Sequence, residues 1–296
     1  MEELIQAKGN SYYLPGITKI GVVKTAEDKV VLIDSGLDDD DGTRALRAIT
    51  ERGWKLEAVF NTHSHADHIG GNAYLQKETG CPIYVPDLEC DFVNHPILET
   101  SFFYGGFPPM GLRRQVFLAE ESRALPLTKD VLPEGWEILP FPGHWFNMAG
   151  FRTADDVVYL ADLVLSEQAM ARRSKMPYLV DAGAYLETLE KARHMQAALF
   201  VPGHADVTAD ISELVQKNMD KIYEIRDCLL EILEQPLSVD QILQKVFRKY
   251  GLLMDLAQYV LIGSTIRSYL AWLEAEGKIR YISRDNMLLW VRTAQR

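Results

Sequence analysis

The run AVFNTHSHADHIGG, residues 58–71, confines what this chain can fold into more tightly than any other stretch. A short apolar pattern from Ala58 to Phe60 runs into three histidines and an aspartate within six positions, and two glycines then open a helical pattern. His63 and His65 are two residues apart, so on extended backbone their side chains leave the same side. Asp67 and His68 follow at the loop-to-helix junction, where they can face a second point nearby. Imidazole nitrogens and a carboxylate suit zinc or another first-row divalent ion, and HxH followed by DH can supply two adjacent metals.

Three more candidate ligands stand at the ends of other apolar runs. His144 and His204 each sit in a Pro-Gly-His, within FPGHW and VPGHA, and Asp162 follows the strand pattern VVYLA. Elsewhere NSYYLPG, KIGVVKT, VVLIDSG, LEAVF, PIYVP and GWEILP read as strands. Helical patterns lie between some of them, at Ala45–Ile49 and NAYLQKETG, with a further one at AYLETLEKARHMQAA. Strand–helix alternation predicts helices packed on sheet, with the ligand-bearing loops gathered at one edge. Residues 87–130 break the rhythm. ILETSFFYGGFPPMGLRRQVF mixes aromatics with Gly-Gly and Pro-Pro, and predicts a loop or short-helix insertion that either lines a pocket or packs on the core as a flap.

The set His63-Ser64-His65-Ala66-Asp67-His68, with His144, Asp162 and His204 in order behind it, resembles the metallo-β-lactamase superfamily, and the Asp162 position points to its glyoxalase II-like hydrolases. The resemblance covers roughly residues 10–208. It implies an α/β fold, the αβ/βα sandwich, with two divalent metal ions at its edge. His63, His65 and His144 would hold one, Asp67, His68 and His204 the other, and Asp162 would bridge them. Zinc is the first expectation, with iron or manganese as alternatives. Asp34 in VLIDSG matches a buried aspartate that orients ligands from behind. Histidine rather than glutamate at position 65 disfavours the diiron electron-transfer branch. Trp145 and Phe146 replace the small residues that follow the third motif in many relatives, so no relative's substrate transfers directly.

Two metal ions can lower the pKa of a shared water toward neutrality and stabilise developing oxyanion charge. The expected reaction is therefore attack by metal-bound hydroxide on an activated acyl bond of a small molecule, a thioester, lactone or related ester, with Asp67 orienting the nucleophile. Phosphodiester or RNA cleavage and persulfide dioxygenation are the enzymatic alternatives. Tyr104, Arg113 and Trp145 are the candidate substrate contacts: aromatics of the insertion, including Phe102, Phe103 and Phe107, can cover an acyl group, and Arg113 with Arg114 can meet an anionic tail. His95 and His194 are expected to be structural.

Of 31 Lys and Arg against 42 Asp and Glu, residues 209–296 hold 12 and 12, so residues 1–208 carry the whole excess of −11. Neither part has the cationic surplus of a nucleic-acid binder. The predicted organisation is a metal-binding hydrolase domain over 1–208 and a winged-helix-like domain over 209–296. The latter has a long helix to Leu233, a capping box at Ser238 and Gln241, a further helix, and a hairpin in RYISRDNMLLWVR. That domain is expected to close the active-site edge or to mediate homodimer formation; the non-enzymatic alternative is a ligand-sensing DNA-binding regulator. Cys81, Cys90 and Cys228 have no metal-like or disulfide-like spacing. With no apolar run near 20 residues, and no basic-then-apolar leader, the expectation is a cytoplasmic protein without membrane contact.

Overall fold

In the computed structural model, which describes residues 3–172 and 175–294, the apolar runs of the first half form one seven-stranded sheet. Its strands lie in chain order: β1 (Ile5–Lys8), β2 (Ser11–Leu14), β3 (Ile20–Lys24), β4 (Lys29–Ile33), β5 (Lys55–Phe60), β6 (Ile83–Val85) and β7 (Ala124–Pro126). The first four pair antiparallel, and from β4 onward neighbours are parallel. Parallel neighbours require a crossover. The first is α1 (Asp39–Thr50), capped by the Asp38 carboxylate on the Asp41 backbone N–H. The second holds the single-turn α2 (Ala66–Ile69) and α3 (Asn72–Thr79); the third holds α4 (Glu89–Asn94) and α5 (Ile97–Tyr104).

The second sheet contains β8 (Glu137–Pro140), β9 (Ala149–Arg152), β10 (Val157–Leu165) and β11 (Leu199–His204), in the order β11-β10-β9-β8. Between β10 and its parallel partner β11 lie α6 (Glu167–Arg172) and α7 (Ala182–Ala192). All nine residues of β10 are buried, as the continuous apolar run required. Val31, Ile33 and Phe60 of the first sheet meet Phe151, Tyr159 and Val201 of the second. Ala45, Ile49 and Leu75 cover the first sheet's outer face, while Tyr185 and Leu189 belong to the cluster on the second sheet's outer face. The resulting helix–sheet–sheet–helix layering is the sandwich that the motif set implied.

The second outer layer continues into α8 (Ser212–Ile232), α9 (Val239–Tyr250) and α10 (Leu256–Ala275), followed by the hairpin of β12 (Ile279–Arg284) and β13 (Met287–Arg292). The Ser238–Gln241 capping box opens α9, as predicted. Val246, Ile266 and Leu270 belong to the same apolar cluster as Leu160 of β10 and Leu189 of α7. The C-terminal helices therefore share their core with the sandwich. No helix among the described residues is long and apolar enough to cross a membrane.

Three local readings are corrected. Strands β1 and β9 were not anticipated: one is a polar edge strand, the other the four-residue AGFR. Helix α7 stops at Ala192 rather than running to Ala198. The Ala198 N–H is drawn to Asp156, donating to both its carbonyl and its carboxylate, and the Gln196 carbonyl accepts from Arg152, so tertiary contacts unwind a stretch of adequate helix formers. The 87–130 insertion has two roles at once. Phe103 and Leu112 are buried in the core, while other residues of the segment wall a cavity described below.

Candidate metal centre

Six elements position the candidate residues. Asp34 follows β4, His63 and His65 follow β5, Asp67 and His68 ride on α2, His144 follows β8, Asp162 lies within β10, and His204 ends β11. Both Pro-Gly-His glycines are needed for close approach. A Cβ on Gly143, whose φ is +117°, would stand 2.2 Å from the Tyr185 backbone nitrogen, and one on Gly203 would stand 3.0 Å from an Asp162 carboxylate oxygen.

Each imidazole is aimed by a bond on its far nitrogen. His68 Nδ1–H donates to Asp34 (2.8 Å), His144 Nδ1–H to the Tyr178 carbonyl (2.9 Å), and His204 Nδ1–H to the Ile17 carbonyl (2.7 Å). The Thr62 hydroxyl gives its proton to Asp34, so its oxygen accepts from His63 Nδ1–H at 3.0 Å. Four histidines thus donate from Nδ1 outward and turn Nε2 inward, the orientation a metal requires once Nε2 has lost any proton. His65 is reversed: its Nδ1 lies 3.0 Å from both His63 Nε2 and His144 Nε2, and its Nε2 faces Glu99 at 3.8 Å.

The inner atoms fall into overlapping groups: His63, His65 and His144; His63, His68 and Asp162; and Asp67, His68 and His204, each within 4.8 Å. Asp162 reaches His68 and His204 with one oxygen, at 3.1 Å each, and His144 with the other, at 3.4 Å. His63 Nε2 and His144 Nε2 both face His65 Nδ1, whose single proton can be aimed fully at only one of them. The donor set fits a shared cation. His65 Nε2 is buried without a hydrogen bond, which fits the same conclusion.

Charge divides the two ends of the cluster. Burial, then the neighbouring imidazoles, push His63 and His65 well below the usual histidine range. Burial acts the same way on His68 and His204, but the carboxylates together outweigh it, Asp162 with Asp34 and Asp67 lifting His68 well above that range, and Asp162 with Asp67 lifting His204 to about 8. The Asp162 carboxyl, which burial alone would raise, is held well below the carboxylate range by His204 and His68.

The profile of the metallo-β-lactamase superfamily matches residues 13–204. This chain belongs to that superfamily. Among solved structures, a β-lactamase domain protein from Burkholderia ambifaria superposes with a TM-score of 0.73 at 17% identity, over 98% of this chain and 94% of that one. A probable metallo-hydrolase of Bacillus subtilis is 23% identical over 74% of this chain and 78% of its own length. Likeness to the hydroxyacylglutathione hydrolase of Methylococcus capsulatus is confined to 38 residues, 53% identical, which are 13% of this chain and 15% of that one.

Over the superfamily cluster opens a cavity of about 450 Å³, with His65, Asp67 and His144 in its wall. Tyr104 and Arg113 are not among its lining residues. Tyr104 is 45% exposed at the end of α5, and the Arg113 guanidinium stacks on Phe107 at 4.5 Å while its Nε–H donates to the Pro108 carbonyl. Trp145 is fully buried behind His65, rings 4.6 Å apart, and donates its N–H to Ser64. Trp145 thus packs behind His65 instead of lining the cavity. His95 and His194 are exposed and outside the cavity, and the three cysteines are free and buried.

Several groups escaped the sequence reading. Thr62 bridges Asp34 to His63, Thr18 donates to Asp67 (3.2 Å), and Glu89 accepts from Ser64 and from the Asn147 N–H, tying the His63/His65 loop to the His144 loop. On α10, Ser268 accepts from the Ala182 N–H (2.7 Å) and Thr265 from the Leu179 N–H (3.3 Å), steadying the segment whose Tyr178 carbonyl aims His144. Thr62, adjoining the histidine motif, was the one with a usable signal.

Proposed function

We propose that this chain is a binuclear metal-dependent hydrolase of activated acyl bonds, with thioesters, lactones and related esters as its substrates. The observation that carries this reading is the aiming of the cluster: four outer nitrogens are tied to carbonyl or hydroxyl oxygens or a carboxylate, and the inner atoms converge in two triads joined by Asp162. His63, His65 and His144 would hold one divalent ion and Asp67, His68 and His204 the other, with Asp162 between them. Bound there, zinc, iron or manganese would acidify water and polarise the acyl carbonyl.

The chain's own residues do the rest. Asp67, partly exposed in the cavity wall and fixed by Thr18 and His204, accepts a hydrogen bond from the attacking water and so orients its lone pair toward the carbonyl. Asp34 keeps His68 and His63 in the tautomers that face inward. The buried cysteines have no activating base, and the Cys90 thiol is pushed up to about 11 by burial and flanking carboxylates, so no side-chain nucleophile is required. The short likeness to a hydroxyacylglutathione hydrolase supports the glyoxalase II-like assignment. We read the C-terminal helices and hairpin as a winged-helix-like unit whose task is to wall the cavity rather than to read nucleic acid, on account of α10 and of its balanced charge.

The test is a hydrolysis panel of thioesters, lactones, β-lactams and phosphodiesters on protein whose metal content is measured. Turnover of acyl substrates that vanishes on metal removal and returns on reloading is the expected result. Phosphodiester cleavage alone, or no turnover at about two metals per chain, would overturn the reading.

A further inference from the structure

The cavity above the cluster has an unusual wall. One side is the insertion, with Phe103, Val116 and Phe117; the other is α10, with Ala257, Leu261 and Ile262. The two sides touch, since a Cβ on Gly111 would lie 3.1 Å from the Leu256 side chain. At the mouth, Ile17 and Val116 line the cavity and remain 76% and 55% exposed, so the apolar surface runs from the cluster out to solvent. No lysine or arginine stands among the described lining residues. Apart from His65, Asp67 and His144, the ionisable groups among the described lining residues are the Glu99 carboxyl and the Tyr178 phenol, and neither carries a positive charge. Arg113, the nearest cation anticipated from sequence, is directed at Phe107 instead.

We infer that this cavity is the acyl-group site, and that it selects uncharged, lipophilic acyl chains while offering nothing to a carboxylated or phosphorylated one. The inference rests on the acyl-hydrolase reading and narrows its substrate class. Apolar surface that would otherwise face water becomes a binding surface once a hydrocarbon chain lies between α5 and α10. An anion at the Val116 and Ala257 end of the same space would lose its hydration against Phe103 and Leu261, with no lysine or arginine among the described lining residues to replace it. The reacting carbonyl would lie at the end where His65, Asp67 and His144 meet the cavity, with the chain directed toward Val116 and Ala257.

The experiment measures kcat/KM of the metal-loaded protein for p-nitrophenyl esters from acetyl to decanoyl, and for esters of equal length ending in a carboxylate. The expected rise is about fourfold per added CH2 until the cavity is filled, with the ω-carboxylated esters at least tenfold poorer than neutral ones of equal length. Replacing Leu261 by Gln should lower the decanoyl-to-acetyl ratio, and Leu261→Lys should shrink the penalty against the carboxylated chain. A binding readout stands apart from turnover: octanamide should raise the melting temperature of the loaded protein, and succinamate should not. Equal rates for acetyl and decanoyl esters, or a preference for carboxylated chains, would overturn the inference and leave the hydrolase reading intact. If octanamide stabilises the protein but no acyl bond is cleaved, the cavity assignment survives and the hydrolase reading fails.

Discussion

Asp34 accepts from His68 at 2.8 Å and, through the Thr62 hydroxyl, also fixes His63, so one carboxylate aligns an imidazole in each candidate metal-binding triad. It does so from left-handed backbone, φ +63°, which a non-glycine residue adopts only when its surroundings hold it there.

An amide in place of this carboxylate has a specific effect. In Asp34→Asn the side-chain NH2 can be turned toward His68 Nδ1, and the imidazole proton then moves to Nε2, the atom that should face the metal. Affinity for the ion at Asp67, His68 and His204 should fall about 10–100-fold. Competition with a chelator checks this, and an unchanged affinity would remove Asp34 from the aiming role.

Metal release should be stepwise with pH. His68 and His204, held protonated by Asp162, must lose protons to bind metal, so affinity at their triad weakens as pH falls below about 8. His63 and His65 are already neutral through that range and keep their ion to lower pH. Metal content after equilibration between pH 8.5 and 5 should pass through a plateau near one ion per chain; simultaneous loss of both would contradict it.

Asp67→Ala separates orientation from binding. If Asp67 positions the attacking water, kcat should drop by about 10²-fold or more while KM changes little. Metal occupancy is read in the same samples, and the comparison is made at equal occupancy. Cys90→Ala should leave turnover intact; its loss at full occupancy would point to a covalent mechanism.

Glu89 gives a stability prediction with a definite sign. Burial raises its carboxyl to about 7 from 4.5, so the folded state favours the protonated form: the benefit is complete below about pH 4.5 and is lost as pH rises through 7. The loss amounts to about 3 kcal/mol at most. Glu89→Gln keeps the acceptor for the Asn147 N–H without the charge, so thermal melts should show the variant gaining on the wild type at pH 8.5 and matching it at pH 5. A variant equally destabilised at both would mean the carboxylate is ionised and needed.

The histidine cluster was legible because its parts are local. His63 to His68 are contiguous, and His144 and His204 each follow an apolar run, which brings them to one edge; Asp162, expected at a strand end, lies instead within β10. The cavity wall was not legible for the opposite reason. Ser268 meets Ala182 across 86 residues of chain, and α10 is apolar on most of its surface, so no stripe in the sequence marks the side facing the site. Glu89 and Glu99 sit in PDLECDFVNHPILET, where acids read as solvated surface until the fold buries them. Arg113 misled in the other direction, since nothing local shows a guanidinium turning onto Phe107.

The dependence of the cavity on α10 has a consequence for how the protein is made. Every proposed metal ligand has left the ribosome by residue 204, whereas Leu261, Ile262 and Thr265 arrive with the last helix. A nascent sandwich can therefore capture its ions through an open edge, in contact with the surrounding metal pool. Once α10 docks, the same ions lie at the bottom of an oily funnel that hydrated cations enter poorly. Metal identity would then be decided during synthesis, by whichever ion is abundant at that moment, and retained by slow exchange afterwards.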